Sequence, residues 1–198
     1  MTQGLCALVL AAGEGLRFQA IAGQGRSKLL ARCVGRDGIE RAVLEHTLFN
    51  LQGVVDKILV VTRPDYPEIT ELAHRYGCDL VSLASAGMGD SIAAAVAAEP
   101  DQSGWLIALG DMPFILPETF QKMAASLQDH RISVPLLQGE FGHPVCFGRQ
   151  YGPALMRLGG DQGARRLFKD GCVQRVEVDD PGVLWDVDVP QRLVFIHV

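Results

Sequence analysis

Apolar residues in the first two thirds of the chain fall into short runs, separated by segments with the periodicity of amphipathic helices. The first run stops at Gly13 and the second at Arg63-Pro64, as is typical of strands buried on both faces of a parallel sheet. The runs predict strands at 5–11, 57–62, 79–83 and 105–109. The periodic segments predict helices at 39–51, 65–76, 90–98 and 117–127.

Strand and helix alternate with short connections through residue 127, and this order predicts an α/β fold with a mostly parallel, doubly wound sheet and helices on both faces. A further strand is predicted at 133–137, and the frequent glycines after it indicate a β-rich, loop-rich segment against the open end of the sheet. The sequence has no repeats and no linker. We therefore expect one domain spanning 1–198.

Composition narrows the class of function. Hydrophobic residues make up 48% of the 198 residues, enough for a sizeable core, and the net charge is −5 with a pI near 5.5. This net negative charge argues against a nucleic-acid-binding protein, which needs a basic surface. A small anionic ligand held by backbone NH groups and one or two cations remains compatible with this balance.

Cysteine usage and hydropathy indicate where the protein works. The five cysteines are odd in number and widely spaced, and no C-x-x-C occurs, so a disulfide framework or a zinc site is not expected. The apolar N-terminal run has no preceding Lys or Arg and ends in a glycine-rich turn, which favours a first strand over a signal peptide. No apolar stretch reaches the roughly 18–20 residues of a membrane span. We expect a cytoplasmic protein without membrane or nucleic-acid partners.

The loop that follows the first strand is a candidate site for binding an anion. Because ligands of open parallel sheets bind beyond the carboxyl ends of the strands, the loop with Gly13 and Gly15 is placed to turn sharply and point NH groups at an anion. Arg17 and Lys28 add cations, although an ordinary turn with solvent-facing charges would look similar. The Rossmann pattern G-x-G-x-x-G fails because Phe18 takes the third position, and the P-loop motif is absent.

Carboxylates indicate a metal site. Asp111 follows the fourth strand, where Mg²⁺ could be held by one or two carboxylates with phosphates and waters; the alternative is a turn residue that caps the next helix. Asp186 and Asp188 would share one face of an extended segment, and two like charges so placed usually need a cation. A solvated turn before Pro190 is the alternative there.

Three further segments are candidates for contacts with substrates. His143 lies between Gly142 and Pro144, which fix its backbone, although a lone histidine is often structural. The loop 160–166 brings two arginines to the start of a predicted helix, where an anionic ligand would offset their repulsion from the helix dipole. The segment 87–91 begins the alanine-rich helix, and Gly89 or Asp90 is the expected N-cap residue. This segment either contacts the base or ribose of a nucleotide or only caps the helix.

Seven segments together resemble the MobA-like nucleotidyltransferases, especially the molybdenum cofactor cytidylyltransferase branch. They occur in the family's order over nearly the whole chain: LAAGEGLRF (10–18), KLL (28–30), GMGDSI (87–92), LGDMP (109–113), GHPV (142–145), GDQGARRL (160–167) and DVDVP (186–190). The resemblance implies a Rossmann-like nucleotidyltransferase domain, with a nucleotide-binding half at about 1–115 and an acceptor-binding half at about 116–198.

The resemblance also implies roles for individual residues. Catalysis would rest on Arg17, Lys28 and Asp111, and a metal on Asp111 with Asp186 or Asp188. The nucleotide would meet a set drawn from the loop and three later segments: Leu10, Ala11, Ala12, Gly13, Glu14, Gly15, Arg17, Lys28, Gly87, Ser91 and Asp111. The acceptor would meet His143, Gly160, Asp161, Gly163 and Arg165.

The implied activity is Mg²⁺-dependent transfer of CMP from CTP, or of GMP from GTP, to a phosphorylated small acceptor, with molybdopterin first and a molybdoenzyme as a possible partner. Ala12 favours CTP, since guanylyl relatives more often have glycine there. Alternatives are a sugar-phosphate or other small-phosphate nucleotidyltransferase and a non-catalytic nucleotide-binding partner of a molybdoenzyme. The chain departs from the family in 19–27, which is longer than usual, and in 31–43, so Arg26 could take the role of Lys28.

Overall fold

One mixed sheet of eight strands dominates the computed structural model, which describes residues 4–84 and 87–196. In chain order the strands are β1 (Leu5–Leu10), β2 (Arg32–Val34), β3 (Glu40–Ala42), β4 (Lys57–Thr62), β5 (Asp79–Ser82), β6 (Gly104–Leu109), β7 (Ile132–Leu137), β8 (Glu140–Phe141), β9 (Val145–Gly148) and β10 (Val173–Glu177). The α-helices are α1 (Leu16–Ala22), α2 (Val43–Leu51), α3 (Pro67–Arg75), α4 (Met88–Ala98), α5 (Pro117–Ala125) and α6 (Gly152–Leu155). Strands β2 and β3 form a separate hairpin.

The strands of the main sheet lie in the order β10-β7-β9-β6-β1-β4-β5, with β8 paired to β7. β6, β1, β4 and β5 are parallel to one another. β9 runs antiparallel between β6 and β7, while β10 is parallel to β7. The β-rich second half therefore continues the same sheet beyond β6. This is the Rossmann-like α/β fold with a mixed, mostly parallel sheet that the sequence predicts.

Alternation along the central strands divides the core between the two faces of the sheet. In β1, Ala7 and Val9 face a core that includes Leu48 of α2 and Phe120 of α5. Cys6 and Leu8 face the other core, which contains the apolar side of α4. Since successive side chains of a strand point to opposite faces, a run that is apolar throughout needs helices on both sides.

The predicted strands and most predicted helices are present within one or two residues of their expected ends, but the start of the first predicted helix, 39–51, was wrong. Residues 40–42 form β3, and α2 begins only at Val43. The cause is a tight turn: the side chain of Asp37 accepts a hydrogen bond from the amide of Ile39 at 3.0 Å, and Gly38 has a φ of +80°. This turn reverses the chain into a hairpin.

Two helix starts also differ from the prediction. Helix α4 begins at Met88 with Gly87 as its N-cap residue, and Asp90 lies within the first turn. The short helix α1 directly after the glycine loop was not predicted. Within the ranges 4–84 and 87–196, no helix is both long enough and apolar enough to cross a membrane.

Two backbone hydrogen bonds hold the loops at the carboxyl edge of the parallel strands together. The amide of Ala11 donates to the carbonyl of Val61 at 2.8 Å, and that of Gly110 donates to the carbonyl of Leu10 at 3.0 Å. The chain thus leaves β1, β4 and β6 side by side. This edge is where an open parallel sheet places its ligand site.

Candidate active site

A cleft of about 570 Å³ opens at the carboxyl edge of β1, β4 and β6. Its volume is in the range of small-molecule sites, roughly 300–1,000 Å³. The cleft is lined by the loop from Leu10 to Arg17 together with residues from six other segments: Lys28, Leu29, Arg63, Gly87, Met88, Ser91, Leu109, Asp111, Asp161 and Asp188. All eleven residues expected to meet the nucleotide are in this lining.

The glycine loop turns beneath the side chain of Lys28. Gly15 has a φ of +63°, which L-residues rarely adopt, and it stands immediately before α1. A Cβ atom built on Gly15 would lie 3.4 Å from Cγ of Lys28. The backbone conformation and the close lysine both explain a glycine here, and the loop and the lysine line one cleft.

Lys28 joins two carboxylates at the centre of the cleft. Its Nζ lies 2.5 Å from Oδ2 of Asp111 and 3.0 Å from Oδ1 of Asp188, and only 13% of its side chain is exposed. Burial alone would lower the pKa of Lys28, but attraction to Asp111 and Asp188 outweighs it and raises the pKa. The lysine is therefore a firmly held cation between two anions.

Arg17 extends this cluster toward solvent. Its Nη1 lies 2.8 Å from Oδ2 of Asp188, and 81% of its side chain is exposed. Burial would raise the pKa of Asp188, but Lys28 and Arg17 hold the pKa below its ordinary value. An exposed guanidinium next to the glycine loop is free to turn toward a phosphate group.

The backbone of Val187 fixes the segment that carries the two late carboxylates. Its amide donates to the carbonyl of Asp111 at 2.9 Å. Asp188 consequently reaches Lys28, whereas Asp186 lies against Arg192, with Oδ1 3.5 Å from Nη2. Burial, together with the charges of Asp188 and Asp111, raises the pKa of Asp186. Asp188 is thus the one of the two that shares a cation with Asp111.

The donors in the cleft suit a hard divalent cation. Asp111 and Asp188 offer carboxylate oxygens on either side of one ammonium nitrogen. Across the described parts of the chain, no group of three or more His, Cys, Asp or Glu side chains gathers as a metal site would. Mg²⁺ usually takes one or two carboxylates and completes its shell with phosphates and waters. Two carboxylates that face a cleft fit that pattern.

Two segments expected to contact different substrates lie against each other. A Cβ atom on Gly87 would come within 2.4 Å of the carbonyl carbon of Gly160, so only glycine fits there. The amide of Gly89 donates to the carbonyl of Gly160 at 2.8 Å, and the amide of Gly160 donates to Oδ1 of Asp90 at 3.0 Å. The start of α4, which carries Ser91, therefore fixes the position of the 160–163 loop.

A second, smaller pocket of about 210 Å³ adjoins the cleft through Met88, which lines both. Three of the residues expected to meet the acceptor line it, namely His143, Gly163 and Arg165, among apolar side chains that include Phe141. Asp161 lines the main cleft instead, and Gly160 lines neither. The predicted acceptor residues are thus divided between the pocket, the cleft and the loop that joins them.

His143 is held inside the protein. Its amide donates to the carbonyl of Val183 at 3.0 Å, and its Nδ1 is buried without a hydrogen-bond partner among the described residues. Burial lowers the pKa of His143, with a smaller contribution from the charge of Arg165, and outweighs the opposite influences of a hydrogen bond to the backbone of Ile107 and of the charge of Asp111. The ring is therefore neutral at pH 7.

Arg63 lines the cleft, although it was not among the site residues predicted from the sequence. Its Nη1 lies 3.1 Å from Oε1 of Glu14, and its Nε lies 3.1 Å from Oδ1 of Asp65. Arg63 directly follows β4. The rule that residues just after a parallel strand face the ligand site would have identified it.

Comparison with known proteins decides the family. The sequence profile of the MobA-like NTP transferase domain matches residues 7–178. The chain belongs to this family. The MobA-like resemblance expected from the sequence is thereby confirmed, and the protein is a nucleotidyltransferase-type domain.

Relatives and solved structures agree with a MobA-like domain. The chain is 28% identical to the purine catabolism protein PucB of Bacillus subtilis over 156 residues, which is 72% of this chain and 76% of PucB. It also matches the bifunctional protein GlmU of Azorhizobium caulinodans, 31% identical over 181 residues, covering 89% of this chain but 37% of GlmU. The chain thus spans about a third of that longer relative.

Two structural neighbours cover nearly the whole MobA-like domain. A nucleotidyl transferase from Methanothermobacter, Mth528, has a TM-score of 0.80 at 22% identity over 95% of this chain and 93% of its own, which shows the shared fold. Rv0371C of Mycobacterium tuberculosis, solved in complex with manganese, has a TM-score of 0.74 at 26% identity over 96% of both chains.

Proposed function

We propose that this MobA-like domain is a Mg²⁺-dependent nucleotidyltransferase that transfers CMP from CTP to a phosphorylated small acceptor, with molybdopterin as the first candidate. The observation that carries the proposal is the contact of Lys28 with Asp111 and Asp188 inside a cleft walled by the glycine loop. Binding a triphosphate requires cationic side chains and a carboxylate that can hold a metal ion. This cleft offers the two kinds of group together. The manganese complex of the relative Rv0371C is in keeping with a divalent cation.

In this proposed function, the two parts of the chain bind different substrates. The part at about 1–115 would bind the nucleotide through the loop 10–17, Lys28, Gly87, Ser91 and Asp111. The part at about 116–198 would bind the acceptor through the smaller pocket and the adjoining loop, that is, through His143, Gly160, Asp161, Gly163 and Arg165. The shared wall at Met88 is consistent with an acceptor that lies next to the nucleotide.

The reaction requires positioning and charge neutralisation rather than a protein nucleophile. A phosphate oxygen of the acceptor would attack the α-phosphorus in line, and the bond to pyrophosphate would break as the new bond forms. Arg17 and Lys28 would bind the triphosphate and offset the charge on the departing pyrophosphate. Mg²⁺, held by Asp111 and Asp188, would supply further charge neutralisation when bound. Such electrostatic stabilisation is often the largest contribution to phosphoryl-type transfer.

A thermal-shift panel tests the nucleotide. CTP, GTP, ATP and UTP are each added with and without Mg²⁺, since a ligand that binds only the folded protein stabilises it, by about 2.7 kcal/mol at a hundred times its dissociation constant. We expect a Mg²⁺-dependent shift that is largest for CTP, in keeping with Ala12. A shift selective for GTP would replace CTP as the donor, and no shift with any triphosphate would overturn the proposal.

Pyrophosphate release tests the acceptor. We expect release with CTP and molybdopterin and none when the acceptor is omitted. A panel of sugar 1-phosphates serves as the comparison. Turnover with a sugar phosphate and not with molybdopterin would move the enzyme to a different acceptor class, while binding of CTP without any release would make it a non-catalytic nucleotide-binding protein.

A further inference from the structure

Lys28 occupies the position between the two carboxylates that fit a divalent cation. One Nζ atom contacts Oδ2 of Asp111 at 2.5 Å and Oδ1 of Asp188 at 3.0 Å. Mg²⁺ binds carboxylate oxygens at about 2.0–2.1 Å, so it would need the same oxygens at shorter range. The ammonium and a metal cannot share this position, because two cations that close would repel each other.

The surroundings hold the lysine in place. Only 13% of the Lys28 side chain is exposed, its stem lies over Gly15, and Asp111 is fixed through its carbonyl by the amide of Val187. The other cation at these carboxylates, Arg17, contacts only the outer oxygen of Asp188 and is 81% exposed. Lys28 is therefore the group that a metal must displace.

We propose that Lys28 is a stand-in cation that keeps divalent metal out of the Asp111–Asp188 pair in the free protein, so that metal enters only after the ammonium has been drawn away. A triphosphate in the cleft offers the ammonium another anionic partner. Metal and nucleotide binding are then coupled through one side chain. This inference rests on the proposed function for the identity of the anion, but the exclusion of metal by Lys28 is a property of the protein without nucleotide.

Binding of Mn²⁺ alone tests the exclusion. The free Mn²⁺ signal in electron paramagnetic resonance is titrated with the full chain in the absence of nucleotide. We expect weak binding by the wild type and an affinity at least about tenfold higher for Lys28→Gln, within the roughly 5–150-fold range of couplings between sites. Lys28→Arg keeps the charge and is expected to bind as weakly as the wild type. Lys28→Met serves as a second neutral variant, and circular dichroism checks the fold of each.

Lys57 provides a matched control. It also joins two carboxylates, with Nζ 3.1 Å from Asp79 and 2.7 Å from Glu99, but it lies outside the cleft lining. We expect Lys57→Gln to leave Mn²⁺ affinity within twofold of the wild type, a factor worth about 0.4 kcal/mol. Adding Asp111→Asn to Lys28→Gln is expected to abolish the gain.

Two results would overturn the inference: folded Lys28→Gln and Lys28→Met that bind Mn²⁺ no better than the wild type, or an equal gain from Lys57→Gln. Because these titrations contain no nucleotide, they are decided separately from the transferase proposal. Absence of pyrophosphate release would overturn that proposal and leave the exclusion of metal by Lys28 standing.

Discussion

The amide of Val187 donates a hydrogen bond to the carbonyl oxygen of Asp111 at 2.9 Å, across 76 positions of the sequence. This contact places a late segment beside the end of a central strand. Asp188 then reaches the same lysine as Asp111. The cleft is therefore built jointly from the first loop, the end of β6 and the segment that follows residue 185, and each can be tested separately.

Replacing Asp111 is expected to impair turnover and not folding. Asp111→Ala removes a carboxylate that faces the cleft, and we expect the rate to fall at least about 100-fold, the scale for loss of one electrostatic stabiliser. Steady-state pyrophosphate release measures the rate. Asp101→Ala, at an exposed position outside the cleft, is the control and is expected to retain the wild-type rate. A near-normal rate for Asp111→Ala at ordinary Mg²⁺ would remove this residue from the mechanism.

Arg17 is expected to act on the affinity for triphosphate. Its guanidinium is exposed beside the glycine loop and contacts only Asp188 among the described acidic groups. Arg17→Ala should weaken CTP binding by at least about tenfold, since a charge-assisted hydrogen bond is worth roughly 1.5–3 kcal/mol and each 1.4 kcal/mol is about a factor of ten. Calorimetric titration gives the affinity. Arg32→Ala removes another exposed arginine, one that lies outside the cleft, and should leave the affinity unchanged. An unchanged affinity in Arg17→Ala would contradict the proposed role of Arg17 in binding the triphosphate.

Asp180 is expected to be important for stability. This carboxylate is 2% exposed, pairs with Arg36, and accepts hydrogen bonds from the amide of Leu116 at 2.9 Å and the hydroxyl of Thr119 at 2.7 Å. Asp180→Ala leaves these donors unpaired inside the protein, and we expect a loss of about 3–5 kcal/mol in the free energy of unfolding. Urea denaturation measures it.

Glu40 offers a comparison for Asp180. Its Oε2 lies 3.5 Å from Nε of Arg32 in an ion pair whose two side chains are both exposed. Glu40→Ala is expected to cost no more than about 1 kcal/mol, as is usual for exposed ion pairs. Similar losses of unfolding free energy for the two variants would show that the buried pair contributes no more to stability than the exposed pair.

Acidic pH is expected to destabilise the fold through His46. Burial lowers the pKa of His46, and its Nε2 lies 3.0 Å from the carbonyl of Cys33, which a neutral ring satisfies by donating its one proton. The unfolded chain, with an ordinary pKa near 6.5, binds a proton more readily than the folded one. Stability is thus fully present above that value and is lost as the pH falls through about 6.5 toward the folded-state pKa.

Urea denaturation at pH 7.5 and pH 5.5 tests this sign. The free energy of unfolding of the wild type is expected to fall on acidification, by about 1.4 kcal/mol for each unit of pKa difference once the pH lies below both values. His46→Gln should show a smaller fall, with the remainder due in part to His143, whose pKa burial lowers in the same direction. His130→Gln, at an exposed position, should behave as the wild type. Greater stability at pH 5.5 would contradict the argument.

The sheet could be predicted because its strands are apolar on both faces. Leu5–Leu10 and Gly104–Leu109 owe their burial to helices packed above and below, and a continuous apolar run reports this directly. The hairpin of β2 and β3 was missed because alternation over three residues resembles part of an amphipathic helix. Its turn depends on one side-chain hydrogen bond of Asp37.

Much of the cleft lining was predictable from the sequence, but Arg63 and the contacts between the lining residues were not. The rule that ligands lie beyond the carboxyl ends of parallel strands identified the loop 10–17 and Asp111. The choice between Asp186 and Asp188 depends on where Val187 attaches, which is a tertiary contact that spacing does not encode. Likewise, Asp90 and Gly89 were plausible caps by residue type, whereas the N-cap is Gly87, which lies against the backbone of Gly160.

The insertion of β9 between β6 and β7 makes the two halves of the chain inseparable. β6 pairs with β1 on one side and with β9 on the other, and its residues are almost all buried. A polypeptide cut after residue 115 would leave β6 as an open, apolar edge of the kind that recruits other chains. Expressed as two pieces, the protein would aggregate or reassemble rather than yield two working modules, so any natural gene fusion or fission must respect the whole sheet.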